Sequence, residues 1–103
     1  VAKGPAGDSW AAFRHERDAL FDFLRDERIG GVVLVSGDSH VGELNCIPWS
    51  QRGGYDLVEV VSSPLAQNPV DKWLRRQPEV RLRPVFSAAV NFGVLDFDLT
   101  GEE

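Results

Sequence analysis

Apolar residues follow two different periodicities along this chain. Trp10, Phe13, Leu20, Phe21 and Leu24 recur at steps of three and four, with Arg17 in the same column, which predicts an amphipathic helix beginning near Ser9. Asp8 or Ser9 stands where a side-chain cap is expected. Arg25 and Arg28 suit the negative end of the helix dipole, and Gly30 or Gly31 is the expected terminator. Arg14, Glu16, Asp18, Asp22 and Asp26 fill the opposite, water-facing side.

The second half of the pattern is strand-like. Gly31 to Ser36 is a short β-branched run without alternation, as in a strand buried on both faces. The helix stripe packed on Val32 to Val35 is the expected core. Further strands are predicted at Glu43–Ile47, ending at Pro48, and at Tyr55–Val61, after a Ser50–Gly54 turn. Prolines at 64, 69 and 78 leave room only for a short helical turn near Val70–Arg76. Arg81 to Phe86 and residues 92–99 both alternate and read as a hairpin joined through Ala88–Asn91. The expected fold is α/β in the broad α+β sense: a mixed sheet of about five strands with a helix packed on one face. An open second face would need cover from a second copy or from more of the same protein.

Residues 1–8 are rich in Gly and Pro and read as a leader or linker, with one domain over 9–103. A start at Val1 and the lack of any Met suggest a segment of a longer chain. With 43% apolar and 26% charged residues the chain is expected to fold rather than stay disordered. A net charge of −5 argues against nucleic acid as partner, and no apolar run reaches the roughly 18 residues of a membrane span. Localisation is not legible. Cys46, the single cysteine, excludes an internal disulfide and a cysteine-based zinc site, and reads as a small buried side chain.

The chemistry-bearing stretch is Ser36-Gly37-Asp38-Ser39-His40, at the carboxyl end of the first strand. There Gly37 is expected to make the sharp turn. Asp38 and His40 in one tight loop can share a proton or a metal ion; the plainer reading is an Asx turn beside a loop histidine. Glu43 follows closely. Asp96 and Asp98 read as a solvated sheet face, and Arg75, Arg76, Arg81 and Arg83 as charges that blunt an edge strand or meet phosphate. His15, beside Arg14 and Glu16, reads as exposed and inert.

Taken in order, Asp8-Ser9-Trp10, Glu16-Arg17, Val32 to His40, Val60-Val61-Ser62-Ser63-Pro64-Leu65 and Asn91-Phe92-Gly93-Val94-Leu95 resemble the C-terminal part of the PhoD-like alkaline phosphatases, a metallophosphoesterase family. Gly37-Asp38-x-His40 is the most specific of these blocks. The resemblance implies the C-terminal half of an αββα sandwich with a metal centre on loops at strand ends, often iron with calcium. It makes Asp38 and His40 metal ligands or close neighbours of the centre, with Asp8 and Trp10 at the substrate opening; Glu43, by its place just after the loop, is a candidate to support the ligands. A capping aspartate and a core tryptophan explain Asp8 and Trp10 equally well. Carboxylate and imidazole suit Fe, Mn or Zn, whereas calcium asks for more oxygens. The family's upstream ligand blocks are missing here, so the isolated chain is expected to bind no metal of its own and to be inactive. Phosphate-ester hydrolysis would belong to the full-length parent.

Two other readings stand beside this one. Gly37-Asp38-Ser39 matches the nucleophile block of GDSL-type serine esterases, with Ser39 as nucleophile, though the distant Asp-x-x-His of that group is missing. The other is a non-catalytic domain that self-associates through its open sheet face.

Overall fold

The structure, a computed structural model, describes residues 10–69, 81–87 and 89–101. A short 3-10 turn, Trp10–Ala12, leads into helix α1, Arg14–Asp26. Four strands follow among the described residues: β1 Val33–Ser36, β2 Gly42–Ile47, β3 Leu57–Val61 and β4 Arg81–Ser87. A second 3-10 turn, Trp49–Arg52, lies between β2 and β3. The architecture is thus mixed α+β. The sheet runs β1-β3-β2-β4, with β1 parallel to β3, and β2 antiparallel to both β3 and β4.

α1 starts later than its periodicity implies. Its N-cap is Phe13, without a side-chain cap bond. Its end is made by Arg28 rather than by a glycine. Arg28 takes a left-handed φ of 56°, its N–H bonds Arg25 O, and the Ile29 N–H reaches back to Leu24 O at 2.9 Å. This is the paired bonding of a Schellman motif, which glycine favours but does not monopolise.

Of the predicted stripe only Phe21 is completely buried; Phe13 and Leu20 remain exposed. Phe21 meets the Trp49 ring edge-on at 5.0 Å and the Trp10 ring at 6.2 Å. With Ile47, Trp49 and Leu57 it forms the core, flanked by half-buried Leu24, Val32, Leu34 and Tyr55. Trp49 is thus a central core residue, although the helix and first-strand periodicities do not point to it. Its indole also carries the Arg52 guanidinium at 4.4 Å. Arg52 in turn bonds Asp18 and Asp22 of α1, at 3.2 and 2.9 Å, so part of the expected water-facing side of the helix is occupied by this turn.

Two strand expectations change. β1 is an edge strand, with Val33 and Val35 exposed and only the Leu34/Ser36 face turned inward, so it is not buried on both faces. A short apolar run cannot show whether a neighbour covers its second face. Residues 92–99 form no strand, so the predicted hairpin is absent and β4 pairs with β2 instead. In that stretch Asp98 bonds Thr100 in an exposed turn. The expected helical turn near 70–76, the leader over 1–8, Arg75 and Arg76 lie outside the described residues.

Phe21→Ala is expected to destabilise the fold by about 3–5 kcal/mol, as the loss of a buried phenyl group does. Phe23→Ala, at a half-exposed position on the same helix, should change stability by less than ~0.5 kcal/mol. Urea unfolding of both variants separates them; equal effects would place the core elsewhere.

Candidate functional site

Residues alternate across β2 and β3, so Glu43, Asn45 and Ile47 share one face with Val61, Glu59 and Leu57. The register also sets Leu34 beside Glu59, and Ser36 beside Val61. This inner face therefore divides along its length. Ile47 and Leu57 lie at the helix end, and Ser36, Val61 and Glu43 form a row at the other end. Leu34, Glu59 and Asn45 lie between. The loop carrying Asp38 and His40 leaves β1 from the polar end.

Glu59 is 1% exposed and Asn45 2% exposed. The Ser36 hydroxyl donates to Glu59 Oε1 at 2.7 Å, and Asn45 Nδ2 donates to Glu59 Oε2 at 3.2 Å. One carboxyl group thus ties β1 and β2 to β3 through side chains. Burying such a group is costly unless its oxygens are bonded, and here both are. Sequence reasoning missed Glu59 and Asn45. The available signal was a carboxylate in the middle of the apolar run Leu57-Val58-Glu59-Val60-Val61, on the phase of its buried neighbours.

Beyond Ser36 the chain turns without a left-handed φ at Gly37, whose carbonyl accepts the Ser39 N–H at 2.8 Å. Asp38 and His40 instead take left-handed φ values of 63° and 58°. Such angles are uncommon outside glycine, although Asp and His are among the residues enriched there, and each can cost about 1–3 kcal/mol. Asp38 is exposed and His40 half-buried. Two bonds fix the histidine. Its backbone N–H donates to Ser63 Oγ at 3.2 Å, and its ring Nδ1 stands 2.8 Å from the Asn68 carbonyl. A carbonyl oxygen can only accept, so Nδ1 carries a proton, and in the neutral tautomer with that proton Nε2 keeps its lone pair.

This arrangement fits metal ligation by His40 through Nε2, because metal-bound imidazoles commonly donate their other N–H to a carbonyl or carboxylate. With the Asp38 carboxylate it supplies oxygen and nitrogen donors, a set that transition metals accept. The set is partial: among the described residues no three His, Cys, Asp or Glu side chains group to hold an ion. Glu43 is buried on the inner sheet face, in the row of Ser36 and Val61 rather than in the loop. Trp10 packs edge-on against Phe21. Asp8 lies outside the described residues. Burial, and then the nearby Asp56, push the Cys46 thiol up, which keeps it protonated and a poor ligand at neutral pH.

Ser39 Oγ is buried and makes no hydrogen bond among the described residues. Among the described residues no base stands on it, and the Nδ1 of the adjacent His40 is engaged by Asn68. An activated serine needs such a base.

A family model for PhoD-like phosphatases matches residues 3–102, so the chain belongs to the PhoD-like phosphatase family. Compared with curated proteins and with solved structures, it finds no match in either. Among the described residues no helix is long and apolar enough to cross a membrane.

Glu59→Ala removes the acceptor of two side-chain donors, Ser36 Oγ and Asn45 Nδ2. Each buried donor left unsatisfied costs about 1–3 kcal/mol, so the loss in urea unfolding should exceed that of an ordinary surface substitution several-fold. A change within surface range would show that the carboxyl group does not hold the strands together.

Proposed function

We propose that this chain supplies one wall of the active site of a metal-dependent phosphoric ester hydrolase, with Asp38 and His40 as ligands from a single loop. The observation that carries the reading is the 2.8 Å bond between His40 Nδ1 and Asn68 O, which leaves Nε2 as the ring's donor atom. The match to PhoD-like phosphatases supports a phosphate ester as the substrate class. Asp38 and His40 would hold a metal from a loop rooted on the β1–β3 pair, and the metal, when bound, would supply Lewis-acid polarisation of a phosphoryl oxygen and activation of water at neutral pH. Fe, Mn or Zn suits this pair of donors, and calcium would need oxygens from elsewhere. The remaining ligands come from outside the described residues, as part of a larger catalytic domain of which this is the C-terminal portion. The exposed Val33 and Val35 on β1 offer that domain an apolar face to cover.

Within a longer natural protein carrying this chain, Asp38→Asn is expected to lower metal-dependent hydrolysis of p-nitrophenyl phosphate by at least ~100-fold, since even outer partners of metal ligands cost 10–100-fold. Unchanged turnover would remove Asp38 from the ligand set. The 103-residue chain should keep its melting temperature to within about 2 °C on addition of EDTA, because its core is apolar and a structural metal would contribute far more than the ~0.5 kcal/mol or less that such a shift represents. A large chelator-induced drop would identify a structural metal instead.

A further inference from the structure

Asn91 lies outside the Asp38–His40 loop, and three of its four side-chain hydrogen bonds go to the segment that holds His40. Its Oδ1 accepts from the Ser63 backbone N–H and from Ser62 Oγ, both at 3.2 Å. Its Nδ2 donates to Ser63 O at 2.6 Å and to Ala89 O at 2.8 Å. The carboxamide thus pairs with both the N–H and the C=O of Ser63, as a neighbouring strand would. Its own backbone N–H donates to Pro64 O at 2.9 Å. The amide lies so close to β2 that a Cβ on Gly42 would come within 2.8 Å of Oδ1. Ser63, clasped in this way, accepts the His40 backbone N–H through its hydroxyl, and the same segment continues to the Asn68 carbonyl on His40 Nδ1.

We propose that Asn91 is a positioning residue for His40: it fixes the Ser62–Pro64 segment, and through it the tautomer and direction of the imidazole. The proposal rests on the reading of His40 as a ligand through Nε2. Asn91 acts on the ring without touching it, through Ser63 and through the path of the chain to Asn68. A surface asparagine in a turn would cap its own backbone two residues on. This one makes five bonds to residues 62, 63, 64 and 89. Asn91→Asp keeps the shape and removes the donor, setting a carboxylate oxygen against Ser63 O and Ala89 O.

The test reads the imidazole itself. The chain has two histidines, His15 and His40, and His15 is exposed on α1, so it serves as an internal reference. Long-range proton–nitrogen NMR at about pH 8, where an ordinary imidazole is neutral, should show His40 as a single Nδ1–H tautomer and His15 as an average. Asn91→Asp and Ser63→Ala should each convert His40 to the averaged pattern of His15 while the amide spectrum stays dispersed. If Asn91→Asp keeps the Nδ1–H pattern, whatever Ser63→Ala does, Asn91 does not position the ring and His40 remains a ligand on its own terms. If the unaltered chain already averages at His40, the ligand reading falls, and the positioning role with it. Should Asn91→Asp fail to fold, Asn91→Ala decides in its place, because it removes the carboxamide clasp without setting a charge against Ser63 O and Ala89 O.

Discussion

The carboxyl group of Glu59 is the constraint on which the polar half of the molecule depends. Its two oxygens accept from a β1 hydroxyl and a β2 amide while its own backbone belongs to β3. Three strands meet at one side chain, inside a sheet where water is largely excluded. Backbone ladders alone allow strands to slip by two residues and keep the same face inward. A buried polar contact does not, because the shifted register would leave donors and acceptors unpaired. Ser36 is the last residue of β1, so the register that Glu59 fixes is also the origin of the loop that follows.

The inner face separates two tasks by position. At the helix end, Phe21, Trp49, Ile47 and Leu57 exclude water and hold α1 to the sheet. The Arg52 contacts with Asp18 and Asp22 add orientation more than energy, since partly exposed ion pairs contribute little. At the far end, the strands hand over to loops whose geometry is set by hydrogen bonds rather than by packing. Asp38 and His40 stand on that side, where exposed residues can meet a ligand without disturbing the core.

Much of this could be read from the chain alone, for identifiable reasons. The strands at Gly42–Ile47 and Leu57–Val61 were legible because turn residues bound them. The helix was legible because its period is strong. Phe21 was legible as one member of a stripe, but not as the only one fully buried, because that depends on where Trp49 lands. The Leu95/Phe97/Leu99 alternation misled, since alternation is necessary for a half-buried strand and does not ensure a partner. In the candidate site, Asp38 and His40 were visible as adjacent reactive side chains. Asn68 and Asn91, lying 28 and 51 positions beyond His40, were not. Their role depends on long-range closure of the chain, and neither residue type advertises a contact so distant.

The left-handed backbone at Asp38 and His40 has a consequence for what these positions can become. A β-branched or bulky apolar side chain there would meet the backbone, so the residues tolerated at low cost reduce largely to Gly, Asn, Asp and His. Apart from glycine, these are short side chains with a nitrogen or oxygen close to the main chain. The loop's shape alone therefore admits a small vocabulary, nearly all of it able to bind a cation. Variation at either position would stay within that vocabulary even if the chemistry were lost, so sequence change there reports on the backbone before it reports on catalysis.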